Sequence, residues 1–256
     1  EALLGRFQDV LQGVFQLRDL SDKTLAYLLS FGERLSSTIL SKFIKDAEWI
    51  DARRLIRTNS DYMNAVVDFE ISNSQITEKL KNLKCTVILP GFIAYDAKGL
   101  TSTLGRGGYD YTAAIIAAAL QSEVLEIWSD VDGFMTADPK IVKKAHPIDC
   151  MNYEEAMELS HFGAKVVYTP TLTPAFRNSI PIRIRNTFNQ DAPGTLISHD
   201  AICSSKHLIK GISSIDHVVL ITVKGAGMVG KTGTSSRVFS ALAKNRVNII
   251  LITQAS

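Results

Sequence analysis

Thr103-Leu104-Gly105-Arg106-Gly107-Gly108-Tyr109-Asp110-Tyr111-Thr112 is a glycine loop that runs into an alanine-rich helical segment. Glycines at 105, 107 and 108 let the backbone approach closely whatever lies opposite, and a helix opening on them leaves its first N–H groups without partners. With the helix dipole and the guanidinium of Arg106, this makes a seat for a carboxylate or a phosphate. The glycines alone read equally as a tight turn, and Asp110 as a helix cap. Arg106 inside the loop favours the anion, and a carboxylate is the expected guest.

Outward from the loop, short apolar runs alternate with amphipathic ones: a strand over 86–90, the helix over 110–121, a strand over 124–128, a helix over 153–162 and a strand over 180–184. Such alternation predicts a mainly parallel sheet covered on both faces. Ligands of such sheets bind at the C-terminal ends of the strands. Toward the N-terminus, Leu3, Leu4, Phe7, Val10, Leu11, Val14 and Phe15 form one apolar helical stripe, expected to pack on a sheet or on another helix. A second helix is predicted over 35–44, with Gly32 at its start and Glu33 at its opening.

Two further motifs follow predicted elements. Ile127-Trp128-Ser129-Asp130-Val131-Asp132-Gly133 is an apolar strand delivering two carboxylates at its end, followed by Asp138-Pro139-Lys140. A strand-end aspartate can hold Mg²⁺ or order a nucleotide, although Asp132-Gly133 taken alone is a turn signal. In Phe162-Gly163-Ala164-Lys165, a lysine after small residues can reach phosphates as a point charge. Taken alone it reads as a solvated surface lysine.

After Asn186 a loop-rich passage leads through 203–206, which reads as a domain junction. A new unit then starts near Ile209: a strand over 218–223, a glycine-rich loop over 225–233, a helix over 235–244 and a strand over 247–253. The balance of 28 lysines and arginines against 26 acidic residues provides no field for nucleic acid or an anionic membrane. No apolar run approaches the roughly 20 residues that span a bilayer, and a soluble, cytoplasmic protein is expected. Cys85, Cys150 and Cys203 are widely spaced and read as reduced thiols packed in the core.

In their order, the motifs resemble aspartokinase: Gly105-Arg106-Gly107-Gly108-x-Asp110, Trp128-Ser129-Asp130-Val131-Asp132-Gly133, Tyr153-Glu154-Glu155-Ala156, Phe162-Gly163-Ala164-Lys165, Ile182-Arg183-Ile184-Arg185-Asn186-Thr187 and Ala192-Pro193-Gly194-Thr195. The resemblance covers almost the whole chain. Glu154-Glu155-Ala156-Met157-Glu158-Leu159-Ser160 and Ile252-Thr253-Gln254-Ala255-Ser256 look most like the kinase half of bifunctional aspartokinase–homoserine dehydrogenases.

This resemblance implies an α/β fold of three layers, αβα, with a mainly parallel sheet over residues 1–204, lacking its N-terminal strand and its Lys-Phe-Gly-Gly-Thr-Ser loop. Part of a ferredoxin-like ACT domain, whose full pattern is βαββαβ, is implied over 205–256. The implied reaction moves the γ-phosphate of ATP, carried with Mg²⁺, to the β-carboxylate of L-aspartate. Glu33 matches the residue that receives the substrate ammonium, and Arg106, Gly107, Gly108 and Asp110 match the aspartate-binding loop. Ser129, Asp130, Met135, Lys140 and Lys165 match nucleotide-site positions, with Lys165, Arg106 and Asp110 as the catalytic set. Met228, Lys231, Thr234, Ser235, Asn248 and Ile249 match contacts to an effector, threonine or lysine, and read equally as ordinary loop and cap residues. A homodimer or higher oligomer through ACT units is implied.

The chain departs from the family at Tyr109, where serine is usual, at Ser129 for threonine, at Met135 for tyrosine and at Lys140 for arginine. The missing lysine loop, with Tyr109 and Met135, motivates a competing reading, a non-catalytic module that senses a nucleotide or an amino acid. A dinucleotide-binding dehydrogenase is disfavoured, because the glycine loop lacks Gly-x-Gly-x-x-Gly spacing.

Overall fold

Alternation of short β-branched runs with alanine- and leucine-rich ones produces strands and helices in turn, as a computed structural model describing residues 1–163, 166–199, 209–224 and 232–253 sets out. The chain divides into two units, Glu1–Ile215 and Asp216–Ser256. Among the described residues no helix is long and apolar enough to cross a membrane.

In the first unit, α1 (Ala2–Leu17) packs on α2 (Asp22–Phe43) with the Phe7 and Phe31 rings 5.2 Å apart, while Leu4, Leu11 and Phe15 of its expected stripe stay exposed. Helix α2 corrects one expectation. It starts at Ser21, whose hydroxyl caps the N–H of Thr24, and runs unbroken through Gly32, so Glu33 lies in mid-helix. Gly32 is exposed with open space around it, and the hydrogen-bond ladder needs no side chain there to continue. The buried face of α2 carries Ala26, Ser30, Phe31, Arg34, Ser37 and Ser41. Its serine hydroxyls donate back to carbonyls one turn earlier, Ser37 to Glu33 at 2.6 Å, which lets a polar face pack closely.

Strand β1 (Ala47–Trp49) pairs in parallel with β2 (Thr86–Ile88), and α3 (Phe69–Leu80) connects them. A hairpin of β3 (Ile93–Tyr95) and β4 (Thr101–Thr103) follows. Its turn is held by buried Asp96, which accepts the N–H groups of Lys98 and Leu100 at 2.9 Å each. Next come α4 (Gly108–Leu120), β5 (Leu125–Ser129), β6 (Cys150–Met151), α5 (Tyr153–His161), α6 (Thr169–Arg177), β7 (Ile182–Asn186) and β8 (Thr195–Ile197). A four-stranded sheet has the order β5-β7-β8-β6, parallel at β5–β7 and β6–β8 and antiparallel at β7–β8.

Helix α4 is apolar on nearly every side because it serves two cores. Ile115 joins the core of Ile50, Ile56, Ile76 and Leu104, while Ala114 and Ala117 join that of Ile127, Ile182, Ile184 and Tyr153. Fully burying one such aliphatic side chain stabilises by about 1.5–3 kcal/mol. A groove of about 460 Å³ runs along α4 between Leu89 and Leu125, lined in part by Tyr109.

The cysteines depart from expectation. Cys85 is free but exposed at the edge of β2, and Cys150 is half-buried and disulfide-bonded. Cys203 lies outside the described residues.

The second unit contains α7 (Thr234–Lys244), which has no buried residue. Residues 218–223 and 247–253, expected as strands, form no ladder among the described residues. In a split βαβ arrangement the two strands flank a third rather than each other. No such third strand stands among the described residues of this unit, and Leu220 is 91% exposed.

Candidate active site

The glycine loop is fixed by its own backbone and by what leans on it. Gly105 and Gly107 both adopt φ near 70°, in the left-handed region open to glycine. A Cβ on Gly107 would lie 2.5 Å from the Cβ of Tyr168, and one on Gly108 would lie 2.8 Å from the Phe92 ring. The N–H of Phe92 lies 2.9 Å from the Thr112 hydroxyl and 3.2 Å from the Gly108 carbonyl, donating to both and locking the loop to the end of the preceding strand region. The N–H groups of Tyr109 and Asp110 make no hydrogen bond among the described residues. They point out of the start of α4, and Arg106 stands exposed beside them. Burial raises the Asp110 carboxyl above its ordinary range.

Glu33 reaches this loop from α2. Burial raises its carboxyl, and a hydrogen bond from the phenol of Tyr109 partly offsets that rise. The same burial and the neighbouring carboxylate push the Tyr109 phenol up. Its ring lies 5.6 Å from that of Phe92 at an interplanar angle of 31°. Glu33 and Tyr109 of the loop region, distant in sequence, thereby influence each other.

Helix α4 runs back along β5, so its N-terminus and the C-terminal end of β5 lie at the same end of the fold. Ser129 closes β5, and its hydroxyl accepts the N–H of Val131 at 3.4 Å. Asp130 is exposed and carries no hydrogen bond or ion pair among the described residues. Asp132 instead accepts the side-chain amides of Asn186 at 2.8 Å and Asn189 at 3.1 Å. It clasps the loop rather than standing free as a ligand. Gly133 has φ 123°, and a Cβ there would meet the Thr195 hydroxyl at 2.3 Å. Met135 bridges to Pro147, and Lys140 is exposed in the turn whose N–H donates to Asp138 at 2.8 Å.

Lys165, Met228 and Lys231 lie outside the described residues. Thr234 and Ser235 open α7, while Asn248 and Ile249 are exposed. Among the described residues no group of three His, Cys, Asp or Glu side chains is placed to hold a metal ion. Asp130 offers an exposed carboxylate without a partner among the described residues, which fits an ion that arrives on phosphates and takes one or two protein carboxylates.

Two residues at the site were not read as partners from sequence: Tyr168 over Gly107, and Asn186 on Asp132. Only Asn186 carried a signal, as the polar residue ending a strand.

The sequence matches a family model described as the amino acid kinase family over residues 7–186, and one described as the ACT domain over residues 221–256. The bifunctional aspartokinase/homoserine dehydrogenase of Haemophilus influenzae is 35% identical over 100% of this chain and 32% of its own length. The lysine-sensitive aspartokinase 3 of Escherichia coli is 35% identical over 88% of this chain and 51% of its own. The chain thus spans about a third to a half of the length of these relatives. Escherichia coli aspartokinase III in complex with aspartate and ADP (R-state) superposes with a TM-score of 0.78 at 30% identity, over 99% of this chain and 57% of that one. The same enzyme with lysine and aspartate (T-state) gives 0.75 at 29% identity, over 99% and 59%.

Proposed function

The chain belongs to the amino acid kinase family, and on that premise we propose that it is the greater part of an aspartokinase, with residues 1–204 forming the kinase domain and 205–256 part of an ACT domain. The expected fold, a mainly parallel α/β kinase fold followed by ACT sequence, is borne out by these matches. The observation that supports the functional reading is the start of α4, where exposed Arg106 stands beside N–H groups without partners among the described residues and where Tyr109 bears on Glu33 of α2. An α-amino acid bears one ammonium and one carboxylate in fixed relation, and this pairing of opposite charges is complementary to it.

In this reading Glu33 receives the ammonium, while Arg106 and the free N–H groups of Tyr109 and Asp110 receive a carboxylate. The β-carboxylate oxygen of L-aspartate attacks the γ-phosphorus of ATP, a P–O bond forms, the bond to the β-phosphate oxygen breaks, and ADP leaves. The carboxylate is already a nucleophile at neutral pH, so no general base is required. Positioning and neutralisation of charge carry such a transfer. Lys165, Lys140, Ser129, Asp130 and Met135 form the nucleotide side, and Asp130 meets Mg²⁺ that arrives with ATP. Asp110 orients the substrate end of the loop. Thr234, Ser235, Asn248 and Ile249, with Met228 and Lys231, contact an effector amino acid, lysine or threonine. Pairing of ACT units into a dimer and a cytoplasmic location complete the proposal.

ADP formation by the full-length protein, followed with a coupled assay, tests this. Turnover is expected with L-aspartate and not with glutamate or N-acetylglutamate. ADP formation driven by either of those and not by aspartate would overturn the assignment, and ligand binding without turnover would favour the sensing module.

A further inference from the structure

We propose that residues 210–214 form a strap that positions the nucleotide side of the site, with Lys210 as its positioning residue. The inference rests on the reading of Lys140 and Lys165 given above. The strap lies between the two family matches, after the one that ends at 186 and before the one that begins at 221, yet it belongs to the first compact unit. It contains neither helix nor strand, so only the contacts of its own atoms hold it there.

Three anchors do so. The Lys210 ammonium lies 2.7 Å from Oε2 of Glu155, and the same oxygen accepts the N–H of Asn152 at 2.9 Å in the capping box of α5. The charge of Lys210 therefore falls on the group that fixes the start of α5. Next along the strap, the N–H of Ile212 donates to the Thr136 carbonyl at 2.9 Å, while the Ile212 side chain stays exposed. Last, Ser214 lies so close to Gly163, at φ 118°, that a Cβ on this glycine would collide with the Ser214 carbonyl. Between the anchors Gly211 packs on the core, where a Cβ would stand 3.3 Å from Ile148 and 3.5 Å from Leu159.

Each anchor flanks a segment of the nucleotide side. Thr136 follows Met135 and opens an excursion that returns at His146, whose carbonyl accepts the Thr136 N–H at 2.9 Å; Lys140 is carried between the two. Glu155 caps α5 at its start, and Gly163 stands just past the end of that helix, two residues ahead of Lys165 in the sequence. The strap thus ties the segment bearing Lys140 to the helix that leads to Lys165. Cations drawn from two segments stabilise a phosphate only as far as their spacing is fixed, and a misplacement of about 1 Å can cost on the order of 10²-fold in rate.

The test compares Lys210→Met, Glu155→Gln and Ile212→Pro in the full-length protein, by KM for ATP and for aspartate, with Lys165→Met as the reference. Lys210→Met should raise the KM for ATP about threefold, as fits a partly exposed ion pair, with the KM for aspartate unchanged. Glu155→Gln keeps an oxygen for the capping box but loses the charge, so it should match Lys210→Met, and the double variant should be no worse than either. Ile212→Pro removes the N–H given to Thr136 and should raise the KM for ATP about fivefold. An unaltered KM for ATP in Lys210→Met, or equal weakening of ATP and aspartate, would overturn the proposal, the second result marking a merely structural role. Lys165→Met separates the two layers. If it changes neither kcat nor the KM for ATP, the reading of the nucleotide side falls and the strap's role with it; if it impairs turnover while Lys210→Met does nothing, only the role of the strap falls.

Discussion

The side-chain amide of Asn186, at the end of β7, donates to the carboxylate of Asp132 at 2.8 Å. This bond ties the loop after β5 to the neighbouring strand, and the N–H of Thr187 donates to the Ser129 carbonyl at 2.8 Å beside it. The loop bearing Asp130 is thus held from the β7 side. Asn186→Ala removes one such bond, worth about 1 kcal/mol. We expect a rise of about fivefold in the KM for ATP with the KM for aspartate unchanged, as initial-rate kinetics would read out. Equal effects on both substrates would mean that the clasp supports the whole fold rather than the nucleotide side.

Arg106 is exposed and has no partner among the described residues, so its charge is available to a ligand. Arg106→Ala should lower kcat/KM for aspartate by about two orders of magnitude, since hydrogen bonds to charged groups contribute about 1.5–3 kcal/mol. Arg106→Lys should recover only part of it, because an ammonium lacks the planar fork that grips both carboxylate oxygens. Full recovery with lysine would show that charge alone suffices.

Two glycines make opposite predictions for stability. Gly133→Ala places a Cβ 2.3 Å from the Thr195 hydroxyl and 2.9 Å from its backbone nitrogen, at φ 123°. A loss of about 2–4 kcal/mol and a clear fall in Tm should follow. Gly32→Ala meets open space inside α2 and should stabilise by about 0.5–1 kcal/mol. A fall in Tm for Gly32→Ala would mean that the helix is kinked or mobile there.

Carboxylates respond to acid in two directions. Burial pushes Asp51 up, but Arg53, hydrogen-bonded at 2.6 Å, more than offsets this and leaves its pKa lowered. Burial likewise opposes Asp96, and the N–H groups of Leu100 and Lys98 outweigh it. Groups depressed on folding contribute stability that is present above the unfolded value of about 3.9 and is lost as pH falls through the folded one. Glu33 is raised by burial, so aspartate affinity should begin to fall at a pH above the ordinary glutamate range. Thermal melts from neutral pH downward should therefore show Asp51→Asn with a flatter acid limb than wild type. An unchanged limb would mean that the pair is equally formed in the unfolded chain.

Much of the fold was legible because its signals are local. The helix after Gly107 and the strand ending at Ser129 lie within a residue or two of where the apolar runs place them. The start of α2 was misread because Gly32 was taken as a helix opening, whereas a glycine costs a helix only about 1 kcal/mol and the surrounding turns carry it. The β3–β4 hairpin escaped notice because strands of three residues show no alternation, although Asp96 and Gly99, at φ 74°, mark its turn. The strands expected in the second unit failed for a different reason: β structure is made between segments, and a suitable sequence pairs with nothing unless a neighbour is there. At the site, the glycine loop and Ser129-Asp130 could be read directly, while the approach of Tyr109 to Glu33 could not. That relation depends on how α2 packs against β4, just ahead of the glycine loop, which no periodicity records.

The most direct test of the account is the formation of aspartyl phosphate, trapped as the hydroxamate by hydroxylamine, in the full-length protein and its Glu33→Gln variant with ATP and Mg²⁺. The account predicts hydroxamate that requires both ATP and L-aspartate in the wild type, and a signal lowered by at least about tenfold at subsaturating aspartate in the variant. Absence of hydroxamate from the wild type, or full activity in Glu33→Gln, would contradict it.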